Sequence, residues 1–235
     1  TWVADGARGG AYRFNDNSQN ISATDAGLPA GDAPRSVAAW MMLETNYANG
    51  CTGMFSYGTP ASNQQITLGI DWRSGRNQYV FSQYGSAFLS ARKIGGTGVW
   101  VHVVYTYGGS GAHHLYVDGL PSDGLQEMWG MINTVLSGVL RLGGQTGSTG
   151  LAGGYLDEVM IFDRALSAEE VFALCRGATP VQLVESSEGA CPNVITRVWT
   201  ATNACGDTVS ATQRISTVDT KKPTMIVPAD KIIGC

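Results

Sequence analysis

Apolar residues in this chain fall in short runs, either alternating with polar ones or filling the run completely, which is the period of strands. Ala11 to Phe14 and Asn20 to Ala23 read as a first hairpin. A loop rich in glycine, proline and aspartate follows from Asp25 to Pro34. Ser36 to Glu44 is apolar on both faces, as a central strand between two layers would be. Gly53 to Tyr57, Gln65 to Trp72 and Gln78 to Gln83 continue the pattern, with a hairpin turn at Ser74 to Asn77. Val99 to Tyr107 is the strongest strand, an unbroken run of β-branched and aromatic residues around His102 and Thr106. A glycine-serine turn leads to its partner, His114 to Val117, which ends at Asp118-Gly119. Val139 to Gly143 and Tyr155 to Phe162 complete the set before residue 177.

Helical period appears only after Ser167. Ser167 is placed as an N-cap, Glu170 three residues on completes a capping box, and Gly177 stands where a helix stops. Beyond it the texture changes. Val194 to Thr202 and Thr208 to Val218 read as strands around a turn at 203–207, Asp219 to Pro223 as a linker, and Met225 to Gly234 as the start of another strand unit. The divisions are therefore 1–177, 178–222 and 223–235. The fold class is all-β, an antiparallel two-sheet sandwich with one short C-terminal helix.

Composition narrows the function classes. Glycine is abundant (31 of 235 residues) and charge sparse (14%), as in a turn-rich β protein. No run of apolar residues is long enough to span a membrane as a helix. The net charge is −4 and the basic residues are scattered, which argues against nucleic acid and anionic membranes as partners. The five cysteines lack zinc spacing and point to disulfides in an oxidising compartment. Asn20-Ile21-Ser22 is an N-glycosylation sequon. Neither end of the chain reads as a natural terminus, so the chain is expected to be a segment of a longer protein.

Catalytic chemistry finds little support. Asp157 and Glu158 are adjacent on a strand and so point to opposite faces, which removes them as a dyad. His102 lacks a recognisable nucleophile and orienting acid, and His113-His114 lack a third metal ligand. Asp118, Asp123 and Glu127 offer carboxylates for glycoside hydrolysis, but the strand motif of jelly-roll glucanases is absent. The chain is expected not to be an enzyme. Trp129, in a loop with Met128 and Met131, and Trp72, beside a hairpin turn, are candidate ligand contacts through their ring faces.

Four blocks in register resemble the laminin-G-like (concanavalin A-like) jelly-roll family: GAYRFNDNSQNIS, SVAAWMML, VWVHVVYTYGGSGAHHLYVDG and LRLGGQTGSTGLAGGYLDEVMIFDRALSAEEVFAL. The resemblance implies two antiparallel sheets packed face to face, with Trp40 and Trp100 at core positions. It also implies a structural calcium ion (Ca2+) held by Asp157 of the closing strand with Asn15 and Asp16, or Asn17, of the opening segment. The stretch CPNVITRVWTATNACGDTVSATQRISTVDTKKP is similar to the immunoglobulin-like repeats of long bacterial and algal surface proteins. That implies part of an Ig-like β-sandwich, interrupted by the jelly roll.

Cys191 and Cys205 lie at opposite ends of one strand, about 30 Å apart at 3.3 Å per residue, which is too far for a disulfide. In the repeat family, cysteines of neighbouring loops pair, and the resemblance implies a Cys175–Cys205 bridge. The partners of Cys51, Cys191 and Cys235 stay open. The expected function is a non-catalytic structural or adhesive segment of a long extracellular surface or filament protein, such as an adhesin stalk or an algal flagellar mastigoneme. Its partners would be neighbouring repeats, glycans or extracellular proteins. The alternative is a carbohydrate-binding module serving an enzyme elsewhere in the chain.

Overall fold

The computed structural model describes residues 1–16, 18–44, 51–73, 76–84, 86–127, 131–144, 151, 153–177, 182–189, 193–202, 208–217 and 224–226. The chain divides into two compact units, Thr1–Arg176 and Gly177–Cys235. The first unit holds strands β1 (Trp2–Val3), β2 (Ala11–Phe14), β3 (Ile21–Ala23), β4 (Arg35–Leu43), β5 (Cys51–Gly58), β6 (Gln65–Asp71) and β7 (Gln78–Ser82). It continues with β8 (Ala87–Lys93), β9 (Val101–Tyr107), β10 (His113–Val117), β11 (Leu120–Pro121), β12 (Asp123–Glu127), β13 (Leu140–Leu142), β14 (Gly154–Phe162) and helix α1 (Ala168–Arg176).

These strands form two seven-stranded sheets, ordered β1-β2-β14-β4-β9-β10-β11 and β12-β8-β7-β6-β5-β13-β3, with antiparallel pairing throughout. Their inner faces make one core. Val37, Met41, Val103, Tyr105 and Leu115 of the first sheet meet Phe55, Leu68, Ile70 and Phe81 of the second. The Phe81 and Tyr105 rings stack across the sandwich, centroids 3.4 Å apart and planes within 3°. Each such buried side chain contributes about 1.5–3 kcal/mol by leaving water.

Helix α1 closes part of the first sheet's outer face. Leu166 and Val171 pack on Ala38, Val104 and Tyr116. The capping box forms as its spacing predicts: the Glu170 amide donates to Ser167 Oγ (3.3 Å) and the Ser167 amide donates to Glu170 Oε2 (2.8 Å). Gly177 ends the helix at φ +63°, a backbone conformation that glycine adopts without steric cost.

The expected first hairpin does not form. β2 pairs with β1 and β14 in one sheet, whereas β3 pairs with β13 in the other. The closing strand β14 slots between β2 and β4, so neighbours in sequence are separated in space. β8 and β12 also escape the sequence pattern. AFLSARK and DGLQE are too rich in small and charged residues to announce strands.

The second unit, among its described residues, is a three-stranded antiparallel meander of β15 (Gln182–Glu188), β16 (Asn193–Thr202) and β17 (Thr208–Thr217). β15 is a further strand that the sequence pattern missed. The Arg197 guanidinium bridges from β16 to Glu185 of β15 at 2.6 Å. Residues 227–235 of the expected strand after Met225 lie outside the described residues.

Candidate functional site

The second sheet carries the candidate site on its outer face. β6 alternates cleanly: Ile66, Leu68 and Ile70 point into the core, and Gln65, Thr67, Gly69 and Asp71 point away from it. An outer face of an antiparallel sheet is ordinarily wet. Here all seven β6 residues are buried, with Gln65 at 1%, Thr67 at 3% and Asp71 at 0% exposure. Along β6 the outer face is therefore a floor withdrawn from solvent rather than an open surface.

Strand register lines up its polar groups. Ser22, Arg141, Ser56, Thr67 and Ser82 are successive Cα partners across β3, β13, β5, β6 and β7. Adjacent strands lie about 4.8 Å apart, so this row places one hydroxyl or guanidinium per strand. Two of its polar atoms are buried without a hydrogen-bond partner: Thr67 Oγ1 and Arg141 Nε. They sit two strands apart, roughly 10 Å, with Ser56 between them. Ser56 Oγ donates to the Gly144 carbonyl (3.1 Å).

Beside the hydroxyl row runs a smoother one, Gly53, Gly69, Val80 and Leu89. The β5 bulge between Gly53 and Phe55 brings the Thr52 carbonyl against Gly69, where any side chain would collide. Asp71 closes the floor at one end. Its fully buried carboxylate pairs with Arg73 (2.9 Å) and Arg76 (3.3 Å).

The other end has a rim stitched from three loops. The Asn63 amide donates to the Gln83 carbonyl (2.8 Å), the Gln83 amide to the Ser86 carbonyl (3.0 Å), and the Asn133 amide to the Asn63 carbonyl (2.9 Å). Tyr84 stands on this rim, 38% exposed, with φ +53°. A tyrosine in the left-handed region is a conformational outlier of the kind that collects at ligand sites. The sequence reading missed Tyr84; a lone tyrosine between Gln83 and Gly85 carries no periodic signal.

The sequence-predicted contacts fare differently. Trp72 is 4% exposed and belongs to the main core, so its ring offers no face to a ligand. Trp129 lies outside the described residues. Asn20 is exposed, and its Oδ1 accepts from Ser22 Oγ (2.9 Å). Asp118 accepts from the His102 amide (3.0 Å) and from Arg92. Asp123 accepts from the Leu115 amide (2.7 Å) and pairs with His114 (2.8 Å). Both carboxylates thus brace strands β9 and β10.

The implied calcium ligands do not come together. β2 register sets Phe14 opposite Gly154, three residues short of Asp157, so Asn15 and Asp16 lie about 10 Å or more from it along the strand. Asn17 is outside the described residues. Asp157 instead accepts two backbone N–H groups, Arg8 on Oδ2 and Glu158 on Oδ1, both at 2.8 Å. Asp16 accepts from Ser18, whose hydroxyl and amide hold its carboxyl below its ordinary pKa. Among the described residues no three His, Cys, Asp or Glu side chains cluster as metal ligands would. These residues do not fit the calcium arrangement. Cys175 is a half-buried free thiol, and its expected partner Cys205 lies outside the described residues.

His102 is a structural histidine on the outer face of the first sheet. It is 3% exposed and lies 5.1 Å from the Trp40 ring. Burial, then the nearby Arg8 charge, pushes its pKa down to about 4, against the attraction of Asp118. The unfolded histidine protonates near pH 6.5, so between these values the unfolded state binds more protons and stability falls as pH drops. The expected loss from pH 6.5 to 4 is up to about 3 kcal/mol. It is read as the urea midpoint against pH, and His102→Gln is expected to flatten that slope. Equal slopes for the two proteins would remove His102 as the source.

Residues 15–172 match the family described as the Concanavalin A-like lectin/glucanases superfamily. No curated protein matches the chain. Among solved structures, the chain is similar to domain 4 of AbnA, a GH43 extracellular arabinanase from Geobacillus stearothermophilus, in complex with arabinotriose. The identity is 23%, over 74% of this chain and 80% of that one, with a TM-score of 0.58. It is also similar to the binding domain of Paraclostridial Mosquitocidal Protein 1, at 13% identity, 85% and 58% coverage and a TM-score of 0.56. Trypanosoma rangeli sialidase in complex with sialic acid matches at 18% identity and a TM-score of 0.52, over 70% of this chain but only 27% of the sialidase. At these identities the likeness is one of fold. With the family match spanning most of the first unit and the two-sheet sandwich in place, the chain belongs to the Concanavalin A-like lectin/glucanases superfamily.

Proposed function

We propose that the first unit is a non-catalytic glycan-binding module, and that the outer face of the second sheet holds the saccharide. The observation that carries this reading is the polar row with its two unpartnered buried atoms, Thr67 Oγ1 and Arg141 Nε. A buried polar atom without a partner costs about 1–3 kcal/mol, and a bound hydroxyl recovers it. The row is made of hydroxyls and a guanidinium, the smooth row beside it has no charge, and Tyr84 supplies an aromatic face at the rim. The arabinanase domain bound to arabinotriose adds support from the same fold. Asp118 and Asp123, already occupied with backbone amides, favour binding over hydrolysis.

The resemblance of 178–235 to surface-protein repeats supports an extracellular setting, in which the module would be displayed by a longer chain.

Isothermal titration of the full chain against arabinotriose, oligogalacturonate and 3′-sialyllactose tests the module. Saccharide binding is expected, weakened about tenfold by Tyr84→Ala and about three- to tenfold by Thr67→Val. Absence of binding to all three saccharides, or binding that neither variant changes, overturns the reading.

A further inference from the structure

Eight of the nine described arginines of the first unit have an identifiable counterpart. Arg13 pairs with Glu44, Arg73 and Arg76 with Asp71, Arg92 with Asp118 and Arg164 with Glu170. Arg8 donates to the Leu174 and Cys175 carbonyls, Arg35 to a set of loop carbonyls, and Arg176 lies over the Phe172 ring. Arg141 is different. Its one hydrogen bond is a long 3.5 Å contact from Nη1 to Asn20 Oδ1, and its Nε is buried and unpartnered. The register makes this unpaired cation part of the floor. Leu140 and Leu142 pack on the core, so Arg141 between them points outward, flanked by Ser22 and Ser56 in the same row.

A guanidinium offers five N–H donors in a planar fork that matches a carboxylate two bonds at a time. Leaving it half-buried without an acid is costly unless a ligand supplies one. The hydroxyls on either side and the unpartnered Thr67 Oγ1 two strands away suit the neutral part of a sugar. We infer that the floor selects acidic saccharides: Arg141 grips the carboxylate of a uronate or sialate residue, while Ser56 and Thr67 meet hydroxyls of the same or the adjoining sugar. This rests on the proposed glycan-binding reading and specifies its ligand class. The contact is one of position and charge, with no bond made or broken in the sugar.

The test compares arabinotriose, which is neutral, with oligogalacturonate and 3′-sialyllactose on the full chain, each titrated against the unmodified protein, Arg141→Gln and Thr67→Val. Arg141→Gln removes no strong internal contact, so its thermal midpoint is expected to stay within a few degrees of the unmodified protein. The unmodified protein is expected to bind one of the acidic sugars about ten- to hundredfold more tightly than arabinotriose. Arg141→Gln is expected to erase that preference, weakening the acidic sugar about ten- to hundredfold but arabinotriose only about three- to tenfold, whereas Thr67→Val weakens both ligands alike. Preference for oligogalacturonate assigns a uronate, and preference for 3′-sialyllactose a sialate. Equal binding of neutral and acidic sugars, or a preference that survives Arg141→Gln, overturns the inference while the glycan-binding reading stands. Failure of every saccharide to bind overturns both.

Discussion

Replacing Arg35 by methionine is expected to lower the stability of the first unit by about 4–5 kcal/mol, the largest single effect in the molecule. Arg35 is fully buried, yet among the described residues no carboxylate forms an ion pair with it. Its donors go instead to oxygens. Nε reaches the Ala33 carbonyl (2.8 Å), Nη1 reaches Pro29 O (2.9 Å), Tyr57 Oη (3.0 Å) and Thr134 Oγ1 (2.8 Å), and Nη2 reaches Gly31 O (2.8 Å) and Ala30 O (3.3 Å). The guanidinium is thus the centre about which the loop before β4 is folded. Methionine matches the bulk but leaves several buried carbonyls without donors, each costing about 1–3 kcal/mol before the loop relaxes. Lysine keeps the charge but has three donors on one point and cannot serve carbonyls arranged around a fork. Arg35→Lys is therefore expected to recover less than half of the loss. Urea unfolding of both variants measures this, and a loss under about 1 kcal/mol for Arg35→Met would mean the loop holds its shape without the cation.

Arg35 also shows where sequence legibility ends. β4, β9 and β14 could be read directly, β9 because β-branched and aromatic residues fill it and β4 and β14 because most of each run is apolar on both faces. The capping box of α1 was legible because its spacing is its mechanism. The loop from Asp25 to Pro34 could be recognised as a loop, but not as a shell around the next residue, since Thr134 and Tyr57 come from distant parts of the chain. The floor was half legible for the same reason. Alternation in β6 separates Gln65, Thr67, Gly69 and Asp71 from the core-facing residues, but nothing local shows that the outward set is then covered. Arg141 is one arginine in a three-residue strand, and only the pairing of β13 with both β3 and β5 gives it neighbours. Trp72 misled in the opposite direction. It follows the last residue of β6 next to a turn, where exposure is the default, and the chain turns its ring inward.

Register decides the closing stretch as well, and there the second large effect is expected: Asp157→Ala should cost about 3–4 kcal/mol. Asp157 pairs with Trp40 at the start of a bulge in β14 that ends where Met160 pairs with Ala38, and the next residue, Glu158, is forced to φ +48°. The carboxylate holds that bend by accepting the Glu158 amide, and holds the opening segment by accepting the Arg8 amide. Arg8 passes the constraint on. Its guanidinium lies 5.6 Å from the Trp40 ring centroid and donates to Leu174 O (2.5 Å) and Cys175 O (2.8 Å), the carbonyls that the C-terminus of α1 leaves open. One side chain therefore ties strand and opening segment together directly, and the helix end through Arg8. Two charge-assisted hydrogen bonds at about 1.5–3 kcal/mol each account for the size of the loss. Asp157→Asn keeps one oxygen acceptor and is expected to lose about half as much. Hydrogen exchange at the α1 C-terminal amides is expected to quicken in Asp157→Ala together with the global loss. The penalty should be the same in millimolar calcium and in chelator, since amides rather than a cation are the partners. A penalty that appears only when calcium is present would restore the metal-bound closing strand that the family resemblance implies.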